Sequence, residues 1–405
     1  MGTETRVYLT DGAEVWEPRA PRTWADAAPG VQGDPLRAPL LELDAGSAAL
    51  WHRQRPLFQG MQTAQQSIPA STWIPVTGMA EMIDNWGGHS DATNTGRYYA
   101  PWTNSNTSGG DWYLCSGYVP FNATGFGATA FIAGLRKNGG TVLEGGKIPG
   151  GAGHVLDTMV IDLIQMSGAN NDYVELTAYQ TGAGALNTAF SGKTPTLTVR
   201  WVAVDQAWPG ALTPALPASP HVWTDADIWA GSATGGGKVP ANVEVRDLIR
   251  FLHNPPIARL TSQGGSQTIP SGTSWTSINF AASGITVDNY GGWSSANPSR
   301  YVCQRAGLYL VAGLVSTSDP GTNSGYRAAR LLQTFAGGGS QAYAGWTVLP
   351  LTSGTIGTAI YAVALVRLSV GDAIETQMQQ TQGAALTVLA AANNCSRMNV
   401  VWLAK

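Results

Sequence analysis

Two aspartates recur in the same surroundings, and a pair of carboxylates is what hydrolysis of a glycosidic bond requires. Asp84 lies in Ile83-Asp-Asn-Trp-Gly-Gly-His-Ser90 and Asp288 in Val287-Asp-Asn-Tyr-Gly-Gly-Trp-Ser294. A glycosidase sets its two carboxylates on either side of one bond, whereas these belong to separate copies of one pattern. Each is followed by Asn and an aromatic-Gly-Gly run, the composition of a turn whose carboxylate accepts from nearby backbone amides. Both are read as turn residues. Arg97-Tyr98 and Arg300-Tyr301 follow the turns, and the arginines are expected to be paired near them rather than free for a ligand. Asp372, behind Gly371, reads as another turn that opens a strand.

Other chemistry fails on spacing. Gly192-Lys-Thr194 ends like a phosphate-binding loop, but the opening glycine is replaced by Asn187, so no cradle forms. Gly125-Phe-Gly127 lacks the third glycine and the helix of a dinucleotide site and reads as a strand bulge. His52, His89, His154, His221 and His253 are scattered without partners at ligand spacing, so no metal is expected. Cys115, Cys303 and Cys395 are odd in number, lack a CxxC spacing and are expected to be buried thiols. No catalytic residue, metal or cofactor is expected, and the chain is read as a non-enzyme. Aromatic side chains remain. Trp86 and Trp293 beside the paired glycines, and Trp102 in a segment around Pro101–Ser108 found in the first copy only, could stack on a sugar face. Trp86 and Trp293 are expected to pack on their own domains, which leaves Trp102 for a receptor contact.

The elements that carry these residues come in duplicate. Gln66-Ser-Ile-Pro-Ala-Ser-Thr-Trp73 answers Gln267-Thr-Ile-Pro-Ser-Gly-Thr-Ser-Trp275, Glu175 answers Glu375, Gln180-Thr-Gly-Ala183 answers Gln380-Thr-Gln-Gly-Ala384, and Trp201 answers Trp402. A period of about two hundred residues is far beyond a solenoid repeat and marks a duplicated domain. Short β-branched and aromatic runs such as Thr129–Leu135, Val160–Ile164 and Leu197–Val202 are punctuated by Gly, Asn and Ser, which predicts a sandwich or jelly roll. Proline-rich stretches precede both β regions. One amphipathic helix is expected, with Val245, Leu248, Ile249 and Leu252 at helical spacing between a cap at Asn242 and Asn254-Pro255-Pro256. The reading is an all-β chain: an extended arm over 1–56, a first jelly-roll domain over 57–204, a linker arm with the helix over 205–256, and a second jelly-roll domain over 257–405.

Charged residues make up only 12% of the 405 residues while 43% are hydrophobic, the reverse of a disordered chain. Fourteen charges fall in residues 1–56 and twelve in residues 256–405, so the β domains must cover themselves with small polar residues or with copies of themselves. The net charge of -3 offers no basic face to a nucleic acid. No apolar run approaches the ~20 residues that cross a bilayer, and Met1–Arg6 begins no apolar leader, so membrane insertion is not expected and synthesis in a cytoplasm is.

Two resemblances follow from these residues. Asp288-Asn with Arg300-Tyr, Ala306-Gly-Leu-Tyr-Leu-Val, Tyr326-Arg, Val366-Arg-Leu-Ser-Val-Gly-Asp372 and Val400-Val-Trp-Leu403 resemble the jelly-roll head of complement and tumour-necrosis-factor-like proteins. The first half departs from this pattern where Gly307 becomes Asp111 and the Gly-Asp turn becomes Ser167-Gly-Ala-Asn-Asn-Asp172. The resemblance implies a ten-strand or similar jelly roll that assembles as a homotrimer through apolar contacts. Trp223-Thr-Asp225, Asn242, Arg246-Asp247 and Phe251–Pro256 resemble a connector of tail and head-surface proteins of tailed bacteriophages. Together they imply a virion structural protein, a minor tail protein, fibre or capsid decoration, made in the host bacterial cytoplasm and displayed on the virion surface. Its arm would attach to other virion proteins. The alternative is an adhesin that recognises a host-surface glycan.

Overall fold

The computed structural model describes residues 56–100, 110–122, 130–149, 155–188, 193–203, 251, 254–318, 325–343, 347–348 and 357–404, with two short strands nearer the start of the chain. The chain divides into two compact units, residues 1–55 and 56–405. In the first, Val7–Tyr8 pairs antiparallel with Glu14–Val15. The rest of the expected arm, the linker over 204–250, and the loop that holds Trp102 lie outside the described residues, and of the expected helix only Phe251, which is helical, and the terminating Asn254 are described.

The larger unit carries one strand plan twice. Its first nine principal strands are β1 (Leu57–Gln62), β2 (Met79–Asp84), β3 (Arg97–Tyr99), β4 (Asp111–Asn122), β5 (Ala130–Lys137), β6 (Val142–Pro149), β7 (Val155–Met166), β8 (Tyr173–Gln180) and β9 (Thr196–Ala203). The next nine are β10 (Ile257–Thr261), β11 (Ile285–Asp288), β12 (Asn297–Val302), β13 (Gly307–Thr317), β14 (Arg327–Thr334), β15 (Ser340–Tyr343), β16 (Thr358–Leu368), β17 (Ala373–Gln380) and β18 (Arg397–Ala404). In the first half one sheet runs β2-β1-β9-β4-β7 and the other β3-β8-β5-β6, all antiparallel. In the second half the orders are β11-β10-β18-β13-β16 and β12-β17-β14-β15. Apart from the adjacent pairs β1–β2 and β5–β6, and their counterparts β10–β11 and β14–β15, the chain crosses from one sheet to the other at each step, which is a jelly-roll sandwich in each half.

Side-chain alternation explains why these residues form strands. Along β4, Tyr113, Cys115, Val119 and Phe121 point inward while Leu114, Ser116 and Tyr118 face the other side. With Phe58, Tyr98, Phe131 and Trp201 they form the first core; Leu260, Tyr301, Tyr309, Val311, Met378 and Met398 are buried in the second half. Each such side chain contributes about 1.5–3 kcal/mol on burial. Alternation also reports a difference between the halves. β1 alternates between buried and half-buried, whereas its counterpart β10 is buried at all five positions. The outer face of β10 is therefore covered, and the cover is the first half of the chain. The two halves also share a sheet edge, where β6 bridges β16 at Lys147 and Ala359.

Candidate functional site at the junction of the two halves

The repeated Asp-Asn-aromatic-Gly-Gly run is a fold element. Asp84 accepts hydrogen bonds from the amides of Trp86, Gly87 and His89 at 3.1, 2.9 and 2.8 Å, and Asp288 from those of Gly292 and Trp293 at 3.0 and 2.8 Å. The following Asn clasps the start of the half: Leu57 donates to Asn85 and Ile257 to Asn289, both at 2.8 Å. The second glycine leaves room for the buried tyrosine of the Arg-Tyr pair. A Cβ at Gly88 would lie 2.6 Å from the Tyr98 ring and one at Gly292 2.2 Å from the Tyr301 ring. Arg97 and Arg300 are paired, but with Glu175 (3.4 Å) and Glu375 (3.1 Å) on the neighbouring strands β8 and β17 rather than with the turns. Asp372 accepts from the amides of Ser369 and Ala336, both at 2.9 Å. Asp172 takes the same role in the first half, accepting from Ser167 at 2.8 Å, so that turn is lengthened there rather than lost.

Trp86 and Trp293, which the sequence places together as sugar-stacking candidates, are not equivalent. Counted from the two aspartates, Trp86 answers Tyr290 and Trp293 answers His89. Both tryptophans are half-buried, and the Trp293 indole donates to the Pro298 carbonyl at 3.1 Å. The His89 ring stacks on Phe58 with centroids 4.9 Å apart. Lys193, of the incomplete phosphate loop, pairs with Asp157. Among the described residues no cluster of His, Cys, Asp and Glu could hold a metal, and the three cysteines are free and buried.

Buried charge is concentrated elsewhere, where β7, the edge strand of the first half, meets the outer face of the second. The Ile161 amide donates to the Tyr361 hydroxyl at 3.0 Å; that hydroxyl and Asn399 Nδ2 reach the Ile161 carbonyl at 3.2 and 3.3 Å. Side chains of one half thus satisfy the exposed backbone edge of the other. The next residue, Asp162, receives Arg259 Nε at 2.7 Å and Nη2 at 3.0 Å, and Arg397 Nε lies 3.2 Å from its second oxygen. Arg397 Nη2 also donates to the Glu144 carbonyl at 2.6 Å. Asp162 and Arg397 are completely buried and Arg259 nearly so. Burial alone would raise the Asp162 carboxyl, but the two guanidiniums and the Leu163 amide hold it below the ordinary carboxylate range. Burial would lower Arg397, yet Tyr361 and Asp162 keep it above its ordinary value. Around the cluster Trp112, Leu163 and Val202 of the first half pack with Ile257 and Val401 of the second.

A cleft of about 410 Å³ opens beside the cluster, lined by Trp112, Lys137, Leu163, Gln165, Arg259 and Thr286. Its cations are already engaged, Arg259 by Asp162 and Lys137 by Asp172 at 2.8 Å. The cluster holds one carboxylate between two arginines, with the Tyr361 hydroxyl 3.3 Å from Arg397 Nη2. Its chemistry is that of docking one β surface on another.

With this geometry the chain is a tandem all-β jelly-roll protein whose halves dock edge on face. No family model and no curated protein matches it. Among solved structures it is similar to the globular domain of zebrafish complement 1qA protein, at 13% identity over 37% of this chain and 98% of that one, with a TM-score of 0.25. It is also similar to murine APRIL crystallised at pH 8.5 and at pH 5.0, at 13% and 12% identity over 36% of this chain and 98% of theirs, with TM-scores of 0.27.

Sequence reasoning did not single out Asp162, Arg259, Arg397, Tyr361 or Asn399. A signal was present. Strand registers place Gln59 beside Ile83 and Thr198 in the first half and Arg259 beside Val287 and Asn399 in the second. Through the same registers Arg397 answers Thr196 and Asp162 answers Ala364. In a chain with so few charges, three charged residues whose counterparts are uncharged mark what one half does and the other does not.

Proposed function

We propose that this protein is a non-enzymatic structural component of a tailed-bacteriophage particle, a minor tail protein, fibre or capsid decoration. It attaches through its amino-terminal arm to other virion proteins and displays the jelly rolls as an assembly of copies, a homotrimer. The observation that carries the reading is the duplicated order of arm and jelly roll, with the connector-like residues Trp223–Asp225 and Phe251–Pro256 before the second copy. The charge-poor β halves support it, because a surface poor in charge suits burial against copies. So does the use of buried charge for docking instead of catalysis. The test is to add purified full-length protein, and separately a version lacking residues 1–55, to phage particles that lack it. Full-length protein should sediment with the particles and the truncated protein should not; a full-length protein that stays in the supernatant would refute the proposal. If instead it leaves the particles and binds a glycan array, with binding lost in Trp102→Ala, the adhesin reading replaces it.

A further inference from the structure

The halves also differ on their other sheet. Along β8, Val174, Leu176 and Ala178 fill the first core, so Tyr173, Glu175 and Tyr179 lie on the outer face of β3, β8 and β5. Glu175 stands between Arg97 on β3 and Arg136 on β5, and Glu375 between Arg300 on β12 and Leu332 on β14. Counted from these glutamates, Tyr173 and Tyr179 answer Ala373 and Gln379, Tyr99 answers Val302, Arg136 answers Leu332 and Gly134 answers Arg330. Three aromatic rings and one cation on this face therefore belong to the first half alone, and the second copy builds the same sheet without them.

One tryptophan is common to both halves but differently covered. Arg330 lies over the Trp275 ring at 4.2 Å. In the first half Gly134 has no side chain to do this; the Trp73 ring lies against it, 2.9 Å from where a Cβ would be, with the Tyr179 ring 5.0 Å away. At the other end of the strand Arg97 lies 4.2 Å over the Tyr173 ring, and Tyr99 is 5.3 Å from it. All four aromatic residues are half-buried, and at about 3.3 Å per residue Tyr173 and Tyr179 stand about 20 Å apart. The charges between them are layered. The Glu175 carboxylate is 2% exposed, whereas Arg136 at 2.6 Å and Arg97 at 3.4 Å are 20% and 33% exposed, so a ligand meets two guanidiniums above one masked anion. Glu144, opposite Gly134 on β6, lies in the field of Lys147 and Arg397.

We propose that the outer face of β3, β8 and β5 binds an acidic oligosaccharide, one sugar ring stacked on Trp73 beside Tyr179 and a sugar carboxylate paired with Arg97 and Arg136. An aromatic ring offers an apolar body to the C–H face of a sugar, and the tyrosine hydroxyls reach its polar rim. Guanidinium N–H groups left over from Glu175 match a carboxylate in charge and in planar geometry. The second half, with Trp275 covered and the tyrosines replaced, lacks the site. The site is separate from the segment that holds Trp102, and it does not depend on how the chain attaches to a particle.

The test titrates the full chain into labelled oligosaccharides that contain uronic or sialic acids, with neutral oligosaccharides of the same length and poly-glutamate as controls. At least one acidic sugar should bind more tightly than both controls, and added salt should weaken that binding. Tyr179→Gln and Arg136→Leu, which install the residues of the second half, should each weaken it about tenfold or more. Trp275→Ala and Trp102→Ala should leave it unchanged. Arg136→Lys keeps a cation beside Glu175 but loses the planar fork, so it should fold like the parent and still bind more weakly. Failure of every acidic sugar to bind the parent would overturn the proposal, as would equal binding of the neutral sugars or of poly-glutamate. Parent-like affinity in Tyr179→Gln and Arg136→Lys would take the site off this face. A chain that binds the sugar but stays in the supernatant with particles would leave this site standing and sink the virion assignment alone; one that sediments with particles and binds no acidic sugar would do the reverse.

Discussion

The junction predicts a large cost for a single substitution, Asp162→Ala. Asp162 is fully buried between two guanidiniums at 2.7 and 3.2 Å, one of them on a fully buried Arg397. Removing the carboxylate leaves both arginines inside the junction with their charge uncompensated. Breaking a buried pair in this way costs about 3–5 kcal/mol, against about 0–1 kcal/mol for an exposed pair. With an unfolding entropy of about 2 cal/mol/K per residue, ~4 kcal/mol spread over the larger unit lowers the melting temperature by about 5 °C. Differential scanning calorimetry of the full chain reads this directly, with Lys193→Ala, which breaks the more exposed pair with Asp157, as the comparison. Two further variants decide the cause. Replacing Asp162, Arg259 and Arg397 together by apolar residues of similar volume should recover most of the loss, because the penalty belongs to unpaired charge rather than to missing attraction. If Asp162→Ala loses less than Lys193→Ala, or the triple replacement is worse than the single one, the account of the junction as a buried ion cluster is wrong.

Gly292→Ala should destabilise by about 1–3 kcal/mol, since the added Cβ would lie 2.2 Å from the ring of fully buried Tyr301. Gly184→Ala, which meets nothing within 4 Å, should stay within about 0.5 kcal/mol of the parent, and equal urea midpoints for the two variants would contradict the turn geometry. Acid should weaken the fold. Asp162, Asp172 and Asp372 are all held below the ordinary carboxylate value, because their hydrogen bonds and, for Asp162 and Asp172, nearby cations outweigh burial. A carboxyl depressed in the folded state stabilises it at every pH above its unfolded value of about 3.9, and that stabilisation disappears as pH falls through the folded value. Urea midpoints should therefore be similar at pH 7 and 5 and clearly lower at pH 3; a midpoint that holds or rises on acidification would refute the assignment.

Much of the fold is legible in the sequence because its signals are local. Alternating apolar residues, turn composition around Asp84 and Asp288, and the order of the repeats are each contained within a few residues of one another. The junction is not local. Asp162 and Arg259 are 97 residues apart and in different repeats, and neither stands in a motif. The pairing of Arg97 with Glu175 was missed for the same reason, since a residue 78 positions away is a nearer partner than the adjacent turn. Asp172 was hidden by chain length, because two extra residues separate it from Ser167 compared with the spacing from Ser369 to Asp372.

Duplication itself raises a problem that the buried charges resolve. Two similar halves have similar edges and similar faces, so either edge could seat on either face. The charges make the two choices unequal. Asp162 on the face of Gln59 and Thr196 would be a buried carboxylate without a cation, and Ala364 on the face of Arg259 and Arg397 would leave two buried cations without an anion. Either exchange costs several kcal/mol. The matched arrangement joins the first edge to the second face within the chain. A buried ion cluster that contributes little net stability can in this way fix which surface meets which. Exchanging the two edges, with Asp162→Ala and Ala364→Asp in one chain, should destabilise the internal junction, and an exchanged chain with the unfolding midpoint of the parent would show that the charges do not set the order.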